Sequence, residues 1–363
     1  HHTFILEGAR DIQRELAERS IGYAFHLERP GHRGPHLRTL AERAAVVVTE
    51  EMPVRPLRDW TAGLAGAVTT PVMAVDTSCV VPMRLPGKAF DRAFAYRRAT
   101  DKDRRQRVAT PWEEQPDPTG AFVPDLPFEP VDLATAELSD LVAQCEIDHA
   151  VGPVPHTRGG STAGYERWET FKAKRLARYA SDRNDPLRPG VSRMSPYLHY
   201  GHVSPFRLAC EADAAGGAGA SKYLDELLVW RELAYTFCYF REDHDRIEAI
   251  PDWARDTLAE HEDGSRASLF GWETLARGET GDALWDAAQK SLLIHGELHN
   301  NVRMTWGKAI PLWTPDLRTA MTRLSSLNDR YALDGRDPSS RGGLWWCLGL
   351  FDRPFRPERS VSG

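Results

Sequence analysis

Three carboxylates and two guanidinium groups crowd into the ten residues Asn328-Asp329-Arg330-Tyr331-Ala332-Leu333-Asp334-Gly335-Arg336-Asp337. Charges at that density need mutual pairing or a polar ligand, because neither sign is easily buried alone. A second block runs from Tyr179 through Asp185-Pro186 to Ser192-Arg193-Met194-Ser195-Pro196. Its hydroxyls, its arginines and the free amides at the start of the following helix suit an anion. A Ser-Pro ahead of a helix is usually only a cap, so this block is weak by itself. In a third block, Glu226 and Trp230 are four residues apart and share one helix face. They could be an acid and an aromatic plate lining one pocket; the commoner arrangement is a core tryptophan beside a solvated glutamate. Fourth, Trp285 is followed by His299-Asn300-Asn301-Val302-Arg303-Met304-Thr305-Trp306 and then Trp313. Trp306 and Trp313 are seven residues, two helical turns, apart on one face, a spacing normally seen in a core.

The elements that must position these residues fall into two kinds. Residues 1 to about 85 alternate helix and strand. Ile5, Ala9, Ile12 and Leu16 follow helical spacing, Ile21 to Leu27 reads as a strand, and Leu37 to Ala44 as a helix. Val46 to Thr49 and Pro71 to Val75 read as buried strands, with a helix from Trp60 to Ala67 between them. Strands separated by helices of this length predict a parallel sheet with crossover helices. Tyr96 to Arg107 is a charged stretch, and the prolines from Pro111 to Pro130 read as a linker with a short helix, Leu138 to Ile147, after them. Pro153 to Gly164 is expected to be mobile. From Tyr165 onward the pattern is helical, with periods over Leu224–Phe240, Ala283–Ile294, Gly296–Ile310 and Pro315–Leu324. The expected organisation is an α/β domain over 1–110, a linker over 111–164 and an all-helical domain over 165–363.

The chain has 363 residues, 41% hydrophobic and 27% charged, which suits two domains with cores and excludes wholesale disorder. No segment approaches the roughly 20 apolar residues of a membrane span, and no leader-type segment opens the chain. A cytoplasmic protein with no membrane partner is expected. The five cysteines, Cys79, Cys145, Cys210, Cys238 and Cys347, form no CxxC pair, which predicts reduced thiols, no metal site and no iron–sulfur cluster. A net charge of -6 disfavours coating nucleic acid but leaves room for a local basic face.

In this order the four blocks resemble the photolyase/cryptochrome family, most closely its class II branch, and the likeness runs over nearly the whole chain. The part up to about residue 85 looks like the later part of the family's Rossmann-like, antenna-type domain, apparently lacking its first strand. The resemblance implies an all-helical domain that binds FAD. Tyr179, Ser192, Arg193 and Ser195 would then hold its phosphates and sugar. Asn300, Arg303, Asp334, Asp337 and Ser339 would belong to the flavin end, with Arg303 and Asp334 as a charge pair beside the isoalloxazine ring. Trp306, Trp285 and Trp313 match the electron-transfer tryptophans of class II. Glu226, Trp230, Met304 and Phe355 match residues around the lesion pocket, where a flipped pyrimidine dimer would sit against Trp230 and hydrogen-bond to Glu226. The implied activity is that of a deoxyribodipyrimidine photolyase, a light-driven carbon–carbon lyase, acting as a monomer on damaged DNA.

Three departures set this chain apart from that pattern. Ser339 stands where the branch has Asn in an Asp-Pro-Asn-Gly run, Phe355 where it has a lesion-flanking Trp, and Glu297 where it has Lys in a Gly-Lys-Met-His run. Asn300 resembles other branches, which differ from class II in having no Gly there. The absence of a strand before Phe4 argues against a bound antenna chromophore. Two further functions stay open: a cryptochrome-like FAD photoreceptor without repair activity, and a photolyase-like flavoprotein with another substrate. A helical bundle without a cofactor would leave the Asp/Arg run unexplained. Basic residues at the pocket mouth would favour repair; Arg175, Arg178, Arg341, Arg353 and Arg356 are candidate phosphate contacts.

Overall fold

The computed structural model describes residues 1–110, 122–260 and 268–354. Two strands, β1 (Val47–Glu50) and β2 (Val72–Val75), pair in parallel with Val47 opposite Val72, and the helix Leu57–Ala67 crosses between them. The βαβ unit read from the sequence is therefore present, but among the described residues its sheet has two strands. Such a sheet buries little. Val48, Met73 and Val75 are exposed, as is Trp60 on the crossover helix, which has no buried residue at all.

The strand expected over Ile21–Leu27 does not form. A strand needs a ladder partner; apart from the helix-end bond from Ile21 N to Leu16 O, the described residues offer this segment one backbone bond, from Val131 N to Phe25 O. Phe25 and Leu27 lie instead against a small cluster built on Leu6, Leu133, Leu138 and Leu141. The charged stretch lies in a helix, Ala93–Ala109, with Tyr96 and Thr100 buried and the charges on its wet side. Residues 153–164, expected to be mobile, are tied down by polar groups of other elements. Gly159 N donates to Glu7 at 2.5 Å, Thr162 N to Asp11 at 3.0 Å, and Gly160 N to His202 at 3.0 Å.

The rest is helical, as its periodicity predicts. The core does not divide along the chain. Met52, Cys79, Met83, Phe90 and Tyr96 share one cluster with Trp285, Trp306 and Trp345 of the helical part. Phe4 and Val80 share another with Trp168, Tyr197 and Tyr223. Burying a large apolar side chain is worth about 1.5–3 kcal/mol, so this packing holds the N-terminal segment onto the bundle.

Polar bolts fix its register. After β2 the chain turns around Asp76, whose carboxylate accepts from the amides of Ser78, Cys79 and Met83. The next two amides, of Val80 and Val81, donate to Glu232 at 2.6 and 3.2 Å, and Arg231 donates to Ser78 O at 2.5 Å. Both side chains come from one helical run. It begins as Gly217–Asp225, passes through a π turn at Glu226–Arg231, and resumes as Glu232–Phe240. Complete burial pushes the Glu232 carboxyl up to about 8, against the pull of the two amides and Arg231.

A raised carboxyl value means the folded chain binds that proton more tightly than the unfolded chain does. The stability it contributes is whole below the ordinary glutamate range and is lost as the pH climbs through about 8. Glu232→Gln should therefore flatten the fall in stability between about pH 5 and about pH 8, measured as urea midpoints; an unchanged slope would locate the proton elsewhere.

Candidate functional site

A cavity of about 900 Å³ opens into the helical part. That is within the range of a cofactor site. Its walls come from helix ends and turns, each with an identifiable local cause. Asp282 caps Ala283–His295, accepting from Leu284 N and Trp285 N. Gly296, in the left-handed region at φ 62, ends that helix. His299 then caps Asn300–Ala309, which carries Arg303, Met304 and Trp306. Asp337 caps Pro338–Trp346, whose first residue is a proline.

Arg303 and Asp334 meet as the resemblance implies, in a buried two-pronged pair at 2.8 and 3.1 Å. Arg303 also donates to Ser340 at 3.0 Å, and Asn328 holds the same hydroxyl at 3.0 Å. The crowded 328–337 run is thus satisfied largely by distant partners. Asp329 takes Arg341 at 3.0 Å, and Arg330 pairs with Asp148.

Asp337 is 2% exposed and is not among the cavity-lining residues. It accepts from Tyr235 at 2.7 Å and from Ser339 N at 2.8 Å, with His199 Nδ1 at 3.1 Å. Burial alone would raise its carboxyl; His199, Arg231 and Ser339 outweigh burial and hold it well below the carboxylate range. Ser339 lines the cavity, but its hydroxyl is already given to Asp337 at 2.5 Å.

Glu226 and Trp230 both line the cavity. They do so from the π turn, a geometry frequent at functional sites. Glu226 pairs with Arg183 at 3.1 Å and Lys222 at 2.7 Å. Arg183 in turn lies over the ring of Tyr179, 5.7 Å from its centre. Trp230 stacks on Trp346, with ring centres 4.9 Å apart and planes 12° apart. Trp346 also lines the cavity, and the sequence reading missed it; the signal was the Trp345-Trp346 doublet in a short helix. Trp345 is the core member, donating to His244 O, which leaves Trp346 facing the opening. Met304 and Asn300 line the same cavity, and Phe355 and Arg356 lie outside the described residues.

Ser192, Arg193 and Ser195 form another stretch of wall. The helix they precede, Ser195–His199, is only five residues long, so anion binding there rests on side chains more than on a helix dipole. Arg193 is held by Glu297, and Arg341, offered as a phosphate contact, is turned inward to Ser325 and Asp329.

Trp285, Trp306 and Trp313 form one row, though not along one helix face. The helix stops at Ala309, Pro311 sits in a 3₁₀ turn, and Trp285 bridges the other two from a neighbouring helix. Trp306 and Trp285 have ring centres 6.1 Å apart and are stacked nearly parallel, at 7°; Trp285 and Trp313 are 5.4 Å apart at 80°. Trp306 is buried one turn from the cavity-lining Arg303 and donates to Gln289 at 3.0 Å.

No family model matches the chain. Among curated proteins, it is 31% identical over 364 residues to a deoxyribodipyrimidine photolyase of Methanothermobacter thermautotrophicus, covering 100% of this chain and 78% of the relative. It is 32% identical over 379 residues to one of Oryza sativa subsp. japonica, covering 99% and 72%. In fold it matches a Synechocystis cryptochrome with a TM-score of 0.73 at 17% identity, over 98% of this chain and 73% of that one. A class III photolyase of Agrobacterium tumefaciens gives 0.69 at 18% identity, over 98% and 72%.

Asp334→Ala should leave the Arg303 charge buried and unpaired, at a cost of about 3–5 kcal/mol in urea unfolding. Arg303→Met added to that background should recover much of the loss, and a double variant no more stable than the single one would mean that pairing is not what the two residues supply.

Proposed function

The chain belongs to the deoxyribodipyrimidine photolyase family, and from that premise we propose that it is a light-driven flavoenzyme that splits cyclobutane pyrimidine dimers in DNA. The observation that carries this reading is the lining of the cavity. There Glu226 stands beside the stacked Trp230–Trp346 plate. Seven basic residues (Arg175, Arg183, Arg188, Arg193, Lys222, Arg231 and Arg303) line the cavity against three acidic ones, Glu226, Glu297 and Asp334, among the described residues. An excess of cations in a cavity lining suits a polyanion even when the whole chain is acidic.

The cavity also suits FAD. Hydroxyls and a guanidinium at Ser192, Arg193 and Ser195 would hold its phosphates, with Tyr179 near the sugar, and Asn300, Ser339 and the Arg303–Asp334 pair would meet the flavin. When bound and reduced, FAD supplies the light-driven electron that opens the dimer ring and takes it back afterwards. The chain's own residues do the rest. Trp230 and Trp346 offer a flat apolar face to a pyrimidine dimer turned out of the helix. Glu226, with Arg183 and Lys222 against it, presents a hydrogen-bonding group to that dimer. Trp306, Trp285 and Trp313 carry charge stepwise between the flavin side and the surface. That arrangement, with Trp285 as the bridge, supports a class II-like assignment.

The deciding experiment is repair of a thymine-dimer oligonucleotide by photoreduced protein under blue light, with a dark control. Light-dependent return of intact thymines is expected. Flavin that photoreduces while no dimer is split would turn the reading to a photoreceptor. Two variants separate the parts. Trp306→Phe should abolish photoreduction yet leave repair intact once the flavin is reduced chemically. Glu226→Ala should photoreduce normally and repair at least about tenfold more slowly.

A further inference from the structure

Glu297 is the residue by which this chain exchanges a family lysine for a carboxylate, and its surroundings make that exchange consequential. Its backbone is fixed by the residue before it. Gly296 sits at φ 62, its carbonyl accepts from Leu333 N at 2.8 Å, and a Cβ there would come within 2.8 Å of Val154 and 2.9 Å of Leu333. The carboxylate that emerges is only 10% exposed and lines the cavity. Arg193 grips it as a fork, Nε to Oε2 and Nη2 to Oε1, both at 2.9 Å. Arg167 Nη1 and Thr157 Oγ1 each reach Oε1 at 3.2 Å. Arg167 also donates to the carbonyl of Arg193 at 3.2 Å. Arg193 itself holds a left-handed φ of 56, uncommon for a residue with a side chain.

This cluster lies at the Ser192–Ser195 wall, which the reading above gives to the cofactor's phosphates. Arg193 lends that wall its positive charge, and Glu297 offsets it. A diphosphate needs the same forked donors that Glu297 now occupies. Arg193, 44% exposed, can turn to an incoming anion; Glu297, at 10%, has little water to turn to once the fork is lost.

We propose that Glu297 is a resident counter-anion that competes with the cofactor's diphosphate for Arg193, so that FAD is held more weakly than this arginine alone would hold it. The inference rests on the FAD reading above. It is tested on the full chain stripped of flavin, by fluorescence titration with FAD and, separately, with riboflavin, which has no phosphate. Glu297→Gln should tighten FAD by about tenfold, the loss of one charge-assisted contact's worth of competition, and should leave riboflavin unchanged. Glu297→Lys should tighten FAD further, with far-UV circular dichroism confirming that each variant is folded. FAD affinity that is unchanged or weaker in both variants would overturn the proposal, and so would equal tightening of riboflavin, which would make Glu297 a matter of pocket shape. If neither the wild type nor the variants bind FAD, the cofactor reading itself falls, and this proposal with it.

Discussion

A carboxylate sealed from water holds the molecule's separate parts in register. Asp337 caps the helix that carries Ser339 and Trp346, accepts from Tyr235 beyond the π turn, and lies against His199 at the end of the short Ser195–His199 helix. Tyr235 is reached by Arg231 at 2.9 Å, and Arg231 grips the carbonyl of Ser78 just after β2. Four segments distant in sequence thus converge on one buried charge. A buried ion is tolerated only when its partners are all present, so each segment's position becomes a condition for the others. The cavity lies among these elements, and its shape follows from theirs.

The same logic explains why the site is assembled from helix ends. Interior positions of a helix are committed to the ladder, whereas the first and last turns leave free amides and carbonyls that must find partners. Asp282, His299 and Asp337 satisfy those groups, and the helices they start carry Trp285, Arg303 and Ser339. The π turn serves a related purpose. It shifts the Glu226–Arg231 segment out of the regular helical phase, so that Glu226 and Trp230 reach the cavity while Leu227, Leu228 and Val229 remain buried.

What could be read from the sequence divides by range. Local periodicity was enough for the helices from Ala283 to Leu324, the last of which runs on to Tyr331, and for the crossover between β1 and β2. It misled at Ile21–Leu27, read as a strand that the described residues offer no ladder, and it assigned no element to Tyr96–Arg107, which lie in a helix with one buried face. Long-range pairing left no local trace. Nothing in the spacing of Arg303 and Asp334, 31 residues apart, announces a two-pronged bond; only resemblance pointed to it. Trp346 was overlooked because a doublet of tryptophans looks like core from both sides, and burial separates its members only in three dimensions. Glu297 read as a missing positive charge, whereas the fold turns it into a partner for two.

The tryptophan row has a built-in slope. Trp306 is 1% exposed, Trp285 4%, and Trp313 is only partly buried. A positive charge on the inner rings is met by fixed dipoles alone, chiefly the Gln289 carbonyl that accepts from Trp306. On the outermost ring it is also met by water, whose reorientation stabilises an ion far more than a rigid interior can. The indoles are chemically identical, yet their surroundings rank them, so in the proposed function a charge placed at the buried end would drift outward and find the return uphill. The row would then act as a rectifier, whose direction is written in solvent access and not in the residues themselves.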